Sequence, residues 1–263
     1  ALAGKWAITN VPSRVASREV YVAKPVYLKE GHNLVSFFAL PDSNSVAEVF
    51  GTNLLPAGAS MVATSTIVSF YGATTNGQPK PVTWWLSNAG HWMYSTGGIA
   101  DHAPLPLHEG VSVFIPAGQG TKRLVLIGRV PTTEVVQVIG PGTRSAPVYN
   151  VLSYTVPRWV TITDLRLKES GLVGSANPSF ADEVRIMTKG WGSPTNQPKA
   201  RLRLDGSSNW VYLSYSSIEF PSGPPAASQY VIEPDEAIIV LRRNAGYVNW
   251  TNRLYYSPPS RNM

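Results

Sequence analysis

The 263-residue chain has no cysteine, so no disulfide framework, thiolate metal site or cysteine nucleophile is available to it. Charge is scarce too. Asp, Glu, Lys and Arg make up 14% of the residues, against roughly a quarter in ordinary soluble domains, which leaves a polar, weakly charged surface of the kind met in extracellular β-proteins. The net charge of +6 is divided between residues 1–30 and 131–263, with the stretch between them neutral. No block of like charge marks a nucleic-acid-binding tail, so nucleic acid is not among the expected partners. No apolar run reaches the ~18–20 residues that span a bilayer, and no membrane span is expected. Histidine is confined to the first half, at His32, His91, His102 and His108.

What the chain does carry is apolar mass and punctuation: 43% hydrophobic residues, 22 glycines and 22 prolines. That is enough to bury cores and to turn the chain often. The opening Ala1-Leu2-Ala3 has the small-x-small character of a signal-peptidase junction, so the expectation is a mature chain exported by a cleaved signal peptide to the cell surface or beyond.

The strongest signal is an internal duplication. Asn33-Leu34-Val35-Ser36-Phe37 is echoed by Asn150-Val151-Leu152-Ser153-Tyr154. Tyr71-Gly72, Asn76-Gly77-Gln78-Pro79-Lys80 and Trp92-Met93-Tyr94 recur as Trp191-Gly192, Asn196-Gln197-Pro198-Lys199 and Trp210-Val211-Tyr212. Glu109 to Ile115 answers Asp235 to Leu241, and Glu19-Val20-Tyr21-Val22 answers Glu134 to Val138. The order is the same in both copies. The units run over 15–130 and 131–258, with 1–14 as an N-terminal extension and 259–263 as a tail.

Within each unit the periods are those of strands. Arg201-Leu202-Arg203-Leu204 alternates, Val111 to Ile115 and Ala237 to Leu241 are short apolar runs, and Asn76-Gly77, Asn88-Ala89-Gly90 and Asp205-Gly206 are turns. Two stretches, Ser45 to Phe50 and Thr163 to Leu167, read as single helical turns at equivalent places. The expected fold is all-β: two tandem, diverged copies of a sandwich- or barrel-like unit.

Val20-Tyr21-Val22 and Leu28-Lys29-Glu30-Gly31-His32-Asn33-Leu34-Val35-Ser36, with a later Trp-x-Tyr strand, resemble a family of secreted β-repeat proteins of Verrucomicrobia and their relatives. The second unit departs from that pattern, carrying Ala146-Pro147-Val148-Tyr149-Asn150 in place of Lys-x-Gly-x-Asn. The resemblance implies export and β-structure, and assigns no activity or site residue.

No catalytic constellation stands out. There is no Gly-x-Ser-x-Gly elbow. His91, Asp101, His102, His108 and Glu109 are close in sequence but match no metal-ligand spacing, so no metal or other cofactor is expected. Asp182-Glu183 and Asp235-Glu236 are adjacent pairs, and neighbours on a strand face opposite ways, which does not suit a glycosidase pair. Lys122-Arg123, Arg201, Arg203 and Arg242-Arg243 sit one or two at a time in different elements. Trp92 and Trp210 occupy matching repeat positions and so read as core, whereas one of the adjacent Trp84 and Trp85 should face outward as a contact residue.

These features suggest a non-enzymatic extracellular structural protein, a subunit of a filament or surface assembly whose partners are copies of itself. Lys5-Trp6-Ala7-Ile8-Thr9-Asn10-Val11 has strand-forming content without a counterpart in the second unit, so Trp6, Ile8 and Val11, together with Trp84 and Trp85, are the expected assembly contacts. A carbohydrate-binding module that uses exposed tryptophans on cell-surface polysaccharide is the alternative, and an enzyme with an unrecognised site the third.

Overall fold

A computed structural model of the chain describes residues 20–61, 65–72, 80–107, 109–131, 133–155, 157–187, 198–234 and 236–252, with backbone alone at 69–72, 80 and 81. The first half runs β1 (Tyr21–Leu28), β2 (Gly31–Val35), α1 (Val46–Phe50), β3 (Ile67–Gly72), β4 (Lys80–Leu86), β5 (Trp92–Tyr94), β6 (Val111–Ile115) and β7 (Lys122–Arg129). The second runs β8 (Val135–Ile139), β9 (Val148–Leu152), β10 (Val160–Thr161), β11 (Glu183–Met187), β12 (Pro198–Leu204), β13 (Trp210–Tyr215), β14 (Val231–Ile232), β15 (Ile238–Arg242) and β16 (Val248–Asn252). The protein is all-β, as composition and period imply.

The two halves share one strand order. A five-stranded antiparallel sheet β2-β6-β3-β4-β5 in the first is matched by β9-β15-β11-β12-β13 in the second. A two-stranded ribbon, β1-β7 or β8-β16, covers each sheet. Each ribbon turns alternate residues inward, so Leu28, Leu124 and Leu126 join Val68, Trp84, Leu86 and Val113 in one core. Ile139, Val248 and Trp250 join Val184, Leu202, Leu204 and Val240 in the other. Each half is thus a two-layer sandwich with its own core.

Strand pairing fixes the correspondence of the copies more firmly than the sequence match does. Asn33 lies opposite Val113 and Asn150 opposite Val240. Glu109 therefore corresponds to Glu236 and Gly110 to Ala237, one residue away from the match of Glu109–Ile115 to Asp235–Leu241. In a short apolar run many offsets look alike, whereas a shift of one in a ladder turns every side chain to the wrong face.

Asn33 and Asn150 do the same work in the two copies. Asn33 accepts from Lys29 N (2.8 Å) and donates to the carbonyls of Lys29, Gly31 and Val113 (2.7, 3.1 and 3.2 Å). Asn150 accepts from Gly140 N (2.7 Å) and donates to Gly140, Val148 and Val240 (3.3, 3.4 and 3.5 Å). Each amide ties the chain leaving the ribbon to two strands of the sheet.

Bulk is redistributed between the cores. Trp84 corresponds to Leu202, and, with Lys29 and Gly140 at the same place in the two copies, Leu124 corresponds to Trp250. Trp250 is buried and donates its indole N–H to the Leu165 carbonyl at 2.6 Å. Trp92 is buried, donates to the Gly51 carbonyl at 2.8 Å and packs beside Phe50, but its equivalent Trp210 is only half-buried.

Of the two expected helical turns one forms. Ser45 caps α1, accepting from Glu48 N (3.3 Å) while its hydroxyl donates to the Glu48 carboxylate (3.1 Å). At 163–171 the chain makes successive turns instead, because Arg166 sits at φ +52°, where a helix cannot continue.

The halves meet through equivalent positions. Leu34 packs with Met187, Ala237, Ile239 and Val151. Val151 in turn lies so close to Gly110 that a Cβ there would overlap it, and Gly110 N donates to the Val151 carbonyl (3.4 Å). Leu34 and Val151 correspond, as do Gly110 and Ala237, so the contact has approximate two-fold character.

Two stability measurements follow. Asn33→Ala should lower the urea unfolding free energy by about 2 kcal/mol, since a buried carbonyl loses its donor, and Asn150→Ala, half-buried with longer bonds, by about 1 kcal/mol. Trp92→Ala should cost about 3–5 kcal/mol, and Trp210→Ala clearly less. Equal losses at the two tryptophans would contradict the difference in burial.

Candidate interaction surfaces

The expected contact residues are scattered by the structure. Trp6, Ile8 and Val11 lie outside the described residues, as do Trp191, His108 and Asp235. Trp84 points into the first core and Trp85 outward, half-buried, as their adjacency on β4 requires. With Trp84, Trp92 and Trp250 buried, the tryptophans do not make a common platform among the described residues, and the exposed indole is Trp159 in a loop.

Of the histidine group, His91 and Asp101 come together. Asp101 Oδ2 lies 2.7 Å from His91 Nδ1, and Oδ1 accepts from Trp92 N (2.7 Å), so the carboxylate anchors the start of β5. His102 is exposed elsewhere on the loop. Among the described residues no three His, Asp or Glu side chains converge as metal ligands.

The acidic pair Asp182-Glu183 is taken up by arginines. Asp182 accepts from the Arg242 guanidinium and from Val173 N and Arg243 N (2.9 and 2.8 Å). Glu183, fully buried at the start of β11, is gripped by Arg201 through both carboxylate oxygens, by Arg185 (2.7 Å) and by Arg243 (3.1 Å). Burial alone would raise its pKa, but the hydrogen bonds from Arg201 and Arg185 overcome this and hold it at about 2. Arg201 is likewise held more firmly protonated by Glu183. Glu236 has one cation, Lys199 at 2.7 Å, yet burial still raises its pKa. Its equivalent Glu109 stands at the contact between halves, where burial pushes the carboxyl up to about 7.

Basic residues that look dispersed along the sequence therefore share one face. Arg185 pairs across the ladder with Arg201, and Glu183 with Arg203, all on the side of the second sheet turned away from its core. The signal was the alternation Arg201-Leu202-Arg203-Leu204; what the sequence could not supply was the register that sets Arg185 beside it.

Apolar side chains are exposed on both ribbons. In β1-β7, Tyr27 (55%), Val125 and Ile127 (59%) face out beside Ala23 and Pro25; in β8-β16, Val136 (59%) and Val138 (55%) do so at corresponding positions. Among the described residues no helix is long and apolar enough to cross a membrane. No family model matches the chain, and no curated protein matches it either.

The carboxylates give the molecule opposing pH dependences. Glu183 is ionised in the fold well below its ordinary value of 4.5, so its contribution is complete above that value and is lost as pH falls toward 2. Glu109 holds its proton in the fold up to about 7, whereas the unfolded chain releases it near 4.5, so stability should decline as pH rises between those values. Glu109→Gln should remove that decline, about 2 kcal/mol after allowance for partial exposure, in melts at successive pH. Glu183→Gln should cost about 3–5 kcal/mol at neutral pH, because it leaves three guanidiniums around a neutral group.

Proposed function

We propose that the protein is a non-enzymatic, exported structural subunit that assembles with copies of itself through its β-surfaces. The observation that carries this reading is the exposed apolar face repeated on both ribbons, Ala23, Pro25, Tyr27, Val125 and Ile127 on one and Val136 and Val138 on the other. A sheet face that is apolar on its solvent side gains by packing on another, and clustered exposure of this kind marks interaction sites.

Strand addition by residues 5–11 is the second element of the proposal. Receiving edges differ in fitness. β5 is three residues long and closed by a bridge between Met93 and Ile99, and Pro25 blunts the edge of β1. β13 is a six-residue edge strand, and no strand among the described residues pairs with its far side. An extended segment from a neighbouring subunit finds unpaired backbone groups there.

The test combines both contacts. Ile127→Lys with Val138→Lys should leave the melting temperature nearly unchanged, since exposed substitutions cost within about 0.5 kcal/mol, while abolishing assemblies seen by light scattering and electron microscopy. Deleting residues 1–11 should give a folded monomer. Undiminished assembly by the lysine variant would overturn the ribbon contact, and undiminished assembly by the truncated chain would overturn strand addition.

A further inference from the structure

The duplication provides an internal comparison of the two sides of each sheet. On the core side equivalent positions stay apolar: Val68 and Val184, Trp84 and Leu202, Leu86 and Leu204, Val113 and Val240. On the outward side the equivalents of Ile67, Thr83 and Trp85 are Glu183, Arg201 and Arg203, and Ser69 corresponds to Arg185. The copies have parted where the core places no demand.

Neutralising Glu183 requires one guanidinium, and three grip it. Arg203 makes a fourth on the same face, its Nη1 donating to the carbonyls of Ser175 and Leu204. Asp205, which lies near Arg203, is occupied as an acceptor for Ser207 N and Asn209 N in the β12–β13 turn (2.8 and 2.9 Å). Four guanidiniums thus stand against two carboxylates, and Glu183 is buried beneath them. Arg144 extends the basic surface, its guanidinium 4.0 Å from the Phe180 ring next to Ala181, whose carbonyl accepts from Arg243 (3.0 Å).

These side chains are held in place before anything binds. Arg185 is fixed by Glu183 and by the Tyr149 ring 5.3 Å away, yet it and Arg201 keep 23% and 36% of their side chains exposed. Preordered guanidiniums suit oxyanions, since a planar fork takes both oxygens of a carboxylate or sulfate with little further loss of freedom.

We propose that the outer face of the second sheet, with Arg185, Arg201 and Arg203 at its centre and Tyr149 beside them, docks an acidic polysaccharide. Arg185 and Arg201 stand about 4.8 Å apart across the ladder and Arg203 about 7 Å along the strand from Arg201, a cluster in which one polyanionic chain meets several guanidiniums at once. The exposed Tyr149 offers one ring face to a sugar, whereas a single-stranded nucleic acid stacks successive bases on successive aromatic rings. The proposal does not rest on self-assembly through the ribbons, whose exposed faces lie on the far side of the second core from this face.

The test is titration of the full chain with a polygalacturonate oligomer, a neutral cello-oligosaccharide and a single-stranded oligonucleotide, at about 50 and about 200 mM salt. The acidic glycan should bind and weaken with salt, and the neutral one should not bind. Arg201→Gln with Arg203→Gln should weaken binding roughly tenfold or more. Because Arg201 also supports Glu183, Arg203→Gln alone, which leaves the Glu183 contacts intact and removes only the bonds to the Ser175 and Leu204 carbonyls, should weaken binding measurably in a protein that still unfolds cooperatively. Arg123→Gln on β7 should have no effect. Absence of glycan binding at low salt, equal binding of the neutral glycan, full binding by Arg203→Gln, or tighter binding of the oligonucleotide would each overturn the proposal.

Discussion

Each half of the molecule hangs on one asparagine amide. A two-layer sandwich made from a ribbon and a sheet must carry the chain from one layer to the other, and at that crossing backbone groups leave one ladder before they enter the next. Asn33, fully buried, and Asn150, half-buried, satisfy those groups with an acceptor and two donors that no apolar residue has. An aspartate would fit the volume but has no N–H to donate. With the crossing fixed, the ribbon can lie over the sheet in one register, and the inward alternation of β1, β7, β8 and β16 finds the core.

Around that fixed point the cores have drifted together with their volumes. One copy places buried indoles on β4 and β5, the other on β16, where the first has Leu124. The exchange keeps both interiors filled while moving the bulk between layers, as cores do when total volume and pattern are preserved. Trp92 and Trp250 solve the same polar problem in the same way, each donating its N–H to a main-chain carbonyl.

Much of this was legible in the sequence because it is periodic or local. The strands of β6, β12 and β15, the turn after Asn88, the Ser45 cap and the split of Trp84 from Trp85 all follow from alternation, turn residues and short-range hydrogen bonds. What was hidden is non-local. Arg185 and Arg201 are partners only once a hairpin has set the register, and Arg243 reaches Glu183 from the next strand over. Trp92 and Trp210 hold equivalent edge positions, but α1 covers Trp92 through Phe50 and the Gly51 carbonyl while the second half makes turns in place of that helix, a difference that repeat position does not reveal. The apolar outward face of the ribbons was invisible for a related reason: with Pro25 and Lys24 between valines, β1 reads as ordinary alternation, and only the pairing shows which set faces water.

The manner in which the two halves meet constrains any assembly of the whole. Tandem copies can pack head to tail, each using one surface to receive the next, and such a contact repeats without limit. Here the contact draws on the same positions from both copies, Leu34 with Val151 and Gly110 with Ala237. A contact of this kind closes on itself. It uses the equivalent surface of each half, so this contact by itself does not propagate into a polymer. Growth beyond one molecule has to use surfaces that the internal contact leaves open: the ribbon faces, which are alike in the two copies, and the segment before β1, which has no duplicate. The first is suited to pairing like with like and the second to joining unlike surfaces, and only a contact of the second kind propagates in one direction.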